Sequence, residues 1–245
     1  MSQTFLGKLS DRVRAARSPR ASAVIVAAGS GVRFGADKLA ADLGGKPVLV
    51  HCLEAFERSP LVSEIVLVTR ADALETTAAL CAQYGITKLT KAVPGGETRA
   101  ASSFAGVMAA SDASEIIAIH DGARPLVTDA VIEAAIWEAN KHGASAPAIP
   151  LRDTVKQASE GVIVSTPDRD SLRAVQTPQC FQRDVIRGAL LEAAKKQWQI
   201  TDDCMAVERI GGRVWLTEGS EENIKITTPL DLALAEIILK GRGGA

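Results

Sequence analysis

Arg33 and Lys38 stand among the glycines of "VIVAAGSGVRFGADK", Val24 to Lys38, where Gly29, Gly31 and Gly35 form a G-x-G-x-x-x-G spacing after an apolar, partly β-branched run. Glycines let backbone N–H groups approach phosphate oxygens, and the two side chains add full charges that backbone dipoles do not supply. A pyrophosphate at rest is held by a helix N-terminus and backbone, whereas a triphosphate under attack needs cations to meet developing charge. The loop therefore suits a nucleoside triphosphate better than a dinucleotide, and without G-K-[ST] it is not a Walker loop. An ordinary glycine-rich turn with solvated charges would read the same.

Four further clusters carry polar residues that chemistry could use. "GGETRAAS", Gly95 to Ser102, pairs two glycines that would let a base or ribose lie on the backbone with a serine early on a helix. "IHDGARP" ends an apolar run on Asp121, where a carboxylate is costly unless it meets a metal, a hydroxyl or a helix terminus, which makes Asp121 the magnesium candidate. Lys225 lies inside "NIKIT", an expensive place for a cation unless an anion meets it. "RDTVK" and "PDRDSLRAVQTPQ" carry Thr154 and Arg169, which alone would pass for solvated surface residues.

The composition narrows the classes. A formal net charge of −1 over 245 residues gives no general basic field for nucleic acid, so any anion site must be local. Four cysteines without a C-x-x-C pair signal neither a zinc site nor a disulfide framework and fit a reducing cytoplasm, and three histidines argue against a multi-histidine metal centre. No apolar run is long enough to span a bilayer. Residues 1–20 carry Arg12, Arg14, Arg17 and Arg20 with Phe5, Leu9 and Val13 at helical spacing; a basic extension is favoured over an organelle-targeting amphipath.

These residues must be positioned by alternating elements. Strands are predicted at "SAVIVAA", "EIVLVT", Leu89 to Val93 and "EIIAIH". Helices are predicted after Pro47, at Ala73 to Tyr84, after Gly96 and from Asp129 to Lys141. Strands separated by such helices imply a mostly parallel, doubly wound sheet with ligands at the strands' carboxyl ends. "SAPAIPL", "DTVKQ" and "GVIVST" read as short strands with no helix between them, a β-arm suited to dimer contact. Beyond it come a helix at Asp184 to Lys196, another opening at Thr201, the strands "RVWLTE" and "NIKIT", and a last helix capped by Thr228. A single domain over residues 21–245 is expected, with the arm at about 150–178.

Taken in order, "AAGSGVRFG…K", "GGETRAAS", "HDGARP", "RDTVK", "DR…L…QTPQ", "TDD" and "NIKIT.P.DL" resemble the motifs of the 2-C-methyl-D-erythritol 4-phosphate cytidylyltransferases, from Ala21 to Lys240. The resemblance implies an α/β, Rossmann-like three-layer nucleotidyltransferase fold, a homodimer joined by β-arms, and CMP transfer from CTP within the non-mevalonate isoprenoid pathway. It implies that Arg33 and Lys38 stabilise the transition state and that Arg169 and Lys225 hold the sugar phosphate, with Thr154, Thr177 and Thr201 near it. Thr154 and Arg169 would come from the partner subunit. Ala27, Ala28, Gly29, Gly96, Glu97, Ser102 and Gly122 would line the CTP site, Arg124 would bind substrate, and Asp121 would meet Mg²⁺ or another divalent cation. Asp37, Lys38 and Leu39 stand on a shortened loop where members often have Pro-Lys-Gln, and the chain's end at Ala245 implies a single-function enzyme. Three rivals remain: ribitol-5-phosphate cytidylyltransferase, a catalytically silent nucleotide-sugar-binding subunit, and an NAD enzyme with Glu54 as ribose ligand. Glu54 falls in a predicted helix rather than at a strand end.

Overall fold

Strand β1, Ala21–Val26, is buried along nearly its whole length, which an apolar run can afford only in the middle of a parallel sheet covered on both faces. The computed structural model describes residues 18–29 and 37–243. β2, Asp42–Leu43, and β3, Lys46–Pro47, form a short antiparallel ribbon apart from the main sheet, in which β1 pairs in parallel with β4, Val62–Thr69, and with β6, Ile116–Asp121, and β4 pairs in parallel with β5, Leu89–Pro94. Beyond β6 the sheet turns mixed. β11, Gln179–Gln182, runs antiparallel to β6 and to the start of β7, Ala144–Pro150, while β10, Arg173–Val175, runs antiparallel to the end of β7. β10 and β11 thus occupy one edge of β7 in succession, with Gln176, Thr177 and Pro178 between them, and β12, Trp215–Glu218, lies parallel on β7.

Successive side chains of the central strands point to opposite faces and build two cores. Ala23, Ile25, Ile65, Leu67, Ile116 and Ala118 meet α1, Val48–Arg58, α4, Asp129–His142, and Ala235 of α7, Pro229–Gly243. Val24, Val66, Val68, Ile117 and Ile119 meet α3, Arg99–Ala109, α5, Arg183–Lys195, and α6, Asp203–Arg209. The three layers follow from this alternation. α2, Leu74–Gln83, adds Cys81 to the first core. Helix α1 shows how local pattern becomes stability: Val48, Leu49, Cys52, Leu53 and Phe56 lie on its buried face at helical spacing. Truncating Phe56, which is fully buried, to alanine should cost about 3–5 kcal/mol.

Three expectations are corrected. "NIKIT" forms no strand, because its backbone is met by individual partners rather than a ladder: Ile226 N–H donates to the Ala123 carbonyl at 2.8 Å and Thr227 N–H to Asp231 at 2.8 Å. "DTVKQ" is mostly irregular, and only Gln157–Ser159 pairs as β8 with β9, Val162–Ser165, in an exposed two-stranded hairpin separate from the main sheet. The helix expected to open at Thr201 begins at Asp203, because Asp202 is its cap, accepting the Met205 N–H. The basic segment 1–17 lies outside the described residues. Among the described residues no helix is long and apolar enough to cross a membrane.

Candidate active site

A cleft of about 360 Å³ opens at the carboxyl ends of β1 and β6, against the first turn of α3. Strand β1 delivers Ala27, Ala28 and Gly29 to its wall, and Lys38 follows from the same loop. Gly96, Glu97 and Ser102 close the opposite side. Gly95 is a glycine for want of room: a Cβ there would stand 2.3 Å from the Ala28 Cβ and 2.8 Å from the Ser102 hydroxyl. The Ser102 hydroxyl is committed to the backbone, accepting from Gly96 N–H at 3.2 Å and donating to the Thr98 carbonyl at 3.0 Å, so it shapes the loop.

Asp121 is the electrostatic centre. Its carboxylate has Lys225 Nζ at 2.8 Å, Arg99 Nε at 3.2 Å and Arg124 Nε at 3.8 Å. Burial opposes its ionisation, but Arg99, Lys225 and Arg124 together outweigh that and hold its carboxyl well below the usual carboxylate range. The anion that makes a cation at Lys225 tolerable is thus Asp121. Arg99 also reaches Asp203, whose side chain is wholly buried, with Nη1 2.9 Å from Oδ2. Burial pushes the Asp203 carboxyl up, and Arg99 pulls it only partly back. Burial likewise works against the Arg99 charge, and Asp203 and Asp121 more than restore it.

Neither Arg99 nor Asp203 received a role from the sequence, although both sit in quoted motifs. An arginine at a helix start ordinarily reads as solvated, and only the approach of α6 to the start of α3 reveals the pairing.

"QTPQ" supports the site from behind. Thr177 is buried behind the cleft, its hydroxyl accepting the Asp121 N–H at 3.1 Å and facing His120 Nδ1 at 3.0 Å. Gln179 accepts from the N–H groups of Asp203 and Cys204 at the start of α6. His120 is fully buried, faces the Arg124 carbonyl at 3.1 Å and is pushed down to about 4 by burial, so it is a neutral packing residue. Gly122 bridges β6 to β1, its N–H donating to the Val26 carbonyl, and Arg124 donates to the Asn223 carbonyl at 2.6 Å.

Gly122, Arg124 and Thr177 stand next to the cleft without lining it, and Thr154, Arg169 and Thr201 are not on its wall in this chain. Thr154 and Arg169 are exposed, on the segment around the hairpin, and Arg169 donates to the Arg152 carbonyl at 2.8 Å. Thr201 is exposed just before α6, its hydroxyl 3.7 Å from the Met205 sulfur. Arg33 lies outside the described residues. Glu54, the NAD alternative's ribose ligand, pairs with Lys46 at 2.7 Å instead.

A doubly wound sheet whose carboxyl-end cleft gathers Arg99, Arg124 and Lys225 around one aspartate, with Lys38 on its wall, is that of a nucleotidyltransferase. The profile of the family described as IspD, 2-C-methyl-D-erythritol 4-phosphate cytidylyltransferase, matches residues 21–241. The chain belongs to that family. It is 42% identical over 222 residues to the enzyme of that name from Clostridium botulinum strain Loch Maree, covering 89% of this chain and 97% of that protein. It is 41% identical to that of Alkaliphilus oremlandii, covering 91% and 96%. The crystal structure of 4-diphosphocytidyl-2C-methyl-D-erythritol synthase from Anaerococcus prevotii superposes with a TM-score of 0.81 at 31% identity, covering 91% of this chain and all of that one. The Thermus thermophilus cytidylyltransferase gives 0.74 at 29% identity, covering 89% and 98%.

Proposed function

We propose that this protein transfers CMP from CTP to 2-C-methyl-D-erythritol 4-phosphate, giving 4-diphosphocytidyl-2-C-methyl-D-erythritol and diphosphate. The acceptor's phosphate oxygen attacks the α-phosphorus of CTP, and the bond from that phosphorus to the bridging oxygen of the β-phosphate breaks. The attacking oxygen is already ionised near neutral pH, so the protein needs no nucleophile or general base of its own; it positions the reactants and meets added charge. The observation that carries this reading is the set of cations held at Asp121, with Lys225 at 2.8 Å and Arg99 at 3.2 Å in a cleft that Lys38 also lines.

Lys38 and Arg33 act on the triphosphate, Lys225 on the acceptor phosphate, and the Gly96 and Glu97 loop takes the nucleoside. Among the described residues no group of three or more His, Cys, Asp or Glu could hold a metal ion. The donor set therefore fits a divalent cation only as a guest of the phosphate oxygens, with Asp121 as its one protein carboxylate, where it would neutralise phosphate charge. The exposed hairpin, with Val162, Ile163 and Val164 more than half exposed, serves a homodimer in which Thr154 and Arg169 complete the partner's site. The four cysteines are free and buried, which suits a reducing cytoplasm.

A coupled diphosphate-release assay with CTP and Mg²⁺ tests the substrate. Turnover with methylerythritol phosphate is expected, and release with ribitol 5-phosphate alone would overturn the reading. Lys225→Ala should lower kcat/KM by on the order of a hundredfold or more.

A further inference from the structure

Lys225 works from a stretch with no ladder to hold it, since residues 223–227 belong to no strand. What fixes that backbone is therefore a question the sheet does not answer. On its C-terminal side Ile226, fully buried, ties to the Ala123 carbonyl at 2.8 Å. On its N-terminal side the anchor is a side chain, Gln176, in the break between β10 and β11.

The Gln176 amide is buried, and both its nitrogen and its oxygen are bonded. Its Nε2 donates to the Ser220 carbonyl at 2.7 Å, and its Oε1 accepts from Ser220 N–H at 3.2 Å and from Asn223 Nδ2 at 3.3 Å. One amide thus substitutes for a strand partner, gripping both backbone groups of Ser220 and the side chain of Asn223. Asn223, itself fully buried, passes the grip on: its Nδ2 also donates to the Thr177 carbonyl at 3.0 Å, and its own carbonyl accepts from Arg124 at 2.6 Å. Lys225 follows two residues later. An independent sign of close approach is Gly219, where a Cβ would stand 2.7 Å from Gln176 Oε1 and 3.0 Å from the Ala148 carbonyl carbon and oxygen. The chain can lie this near the glutamine only because that residue is glycine.

We propose that Gln176 is a positioning residue for Lys225, acting through Ser220 and Asn223 to set where the ammonium meets Asp121 and the acceptor phosphate. The inference rests on the phosphate-binding role given to Lys225 above. A displacement of about 1 Å at such a group can cost on the order of a hundredfold in rate. The two effects share one lysine, so they should not multiply.

The test is a double-mutant cycle on the full-length enzyme with CTP and methylerythritol phosphate, using Lys225→Ala and Gln176→Leu. Gln176→Leu should lower kcat/KM for the sugar phosphate by tenfold to a hundredfold while KM for CTP changes less than about twofold, and in the Lys225→Ala background it should add less than about twofold. A full multiplicative loss in the double variant, or no loss in Gln176→Leu alone, would overturn the inference. An unchanged Lys225→Ala would overturn the role of Lys225 itself, a different failure. If Gln176→Leu does not fold, Gln176→Met, a flexible uncharged side chain of similar length that removes both the donor to the Ser220 carbonyl and the acceptor for Ser220 and Asn223, runs the same cycle with the same readings.

Discussion

Replacing Arg99 with methionine should damage folding before it damages chemistry, because among the described residues the arginine is the one cation paired with the buried Asp203. Asp121 keeps Lys225 at 2.8 Å when Arg99 is lost, but Asp203 is wholly buried and its ion pair is the 2.9 Å contact to Arg99 Nη1. Removing one member of a buried pair costs about 3–5 kcal/mol, since the survivor must stay charged without compensation or take up a proton. At roughly 2–4 °C per kcal/mol for a chain of this size, the melting temperature should fall by about 6–20 °C.

The sign with pH discriminates this cause from lost packing. Burial already raises the Asp203 carboxyl above its ordinary value of 3.8, and without Arg99 it rises further. A group raised in the folded state contributes stability that is complete below the unfolded value and is lost as pH rises through the folded one. The deficit of Arg99→Met should therefore be larger at pH 8 than at pH 5. Thermal and urea unfolding at both values, with Asp203→Asn added in the same chain, form the assay. Asp203→Asn should recover most of the loss; an equal deficit at both pH values with additive losses would refute the reasoning.

Two more outcomes follow from the same structure. His120 sits near 4 when folded against 6.5 when free, so its contribution to stability should be constant above pH 6.5 and fall as pH drops from there toward 4, by about 3 kcal/mol in all; urea unfolding of His120→Asn should lack that slope, and an unchanged slope would acquit the histidine. If the hairpin joins two copies, Ile163→Asp should shift the protein toward monomer in sedimentation, and mixing inactive Arg169→Ala with inactive Lys225→Ala should restore activity; a mixture that stays inactive would place Arg169 and Lys225 in the same subunit's site.

The sheet and its helices were legible because buried parallel strands leave continuous apolar runs and α1 shows its core face at helical spacing. "NIKIT" misled for the same reason. Its Ile226 is fully buried and Ile224 half-buried, as in a strand, but its hydrogen bonds go to Ala123, Asp231 and the side chain of Gln176, which no periodicity records. Asp121, Lys38 and Lys225 were visible as charges out of place. Arg99, Asp203 and Gln176 were not, since each is ordinary in its local setting and becomes special only across 104 positions from Arg99 to Asp203 or the 47 from Gln176 to Asn223.

The centre of the site is an aspartate ringed by cations, an odd way to receive a triphosphate unless the aspartate has a task before the nucleotide arrives. Arg99, Arg124 and Lys225 converge within 4 Å of one carboxylate, and Arg99 and Arg124 are largely buried. Without an anion between them these charges would repel and be costly to desolvate, and their side chains would turn outward to water. Asp121 holds them in place at rest, so an incoming phosphate meets cations already oriented rather than ones that must be gathered. Lys225, with 36% of its side chain exposed on the cleft wall, is the member freest to exchange that carboxylate for a phosphate oxygen, while Arg99 is tied behind to Asp203. Only some of the ring can therefore follow the reaction. The rest is scaffold, and the cost of building it is shared with the fold through the buried pair beneath.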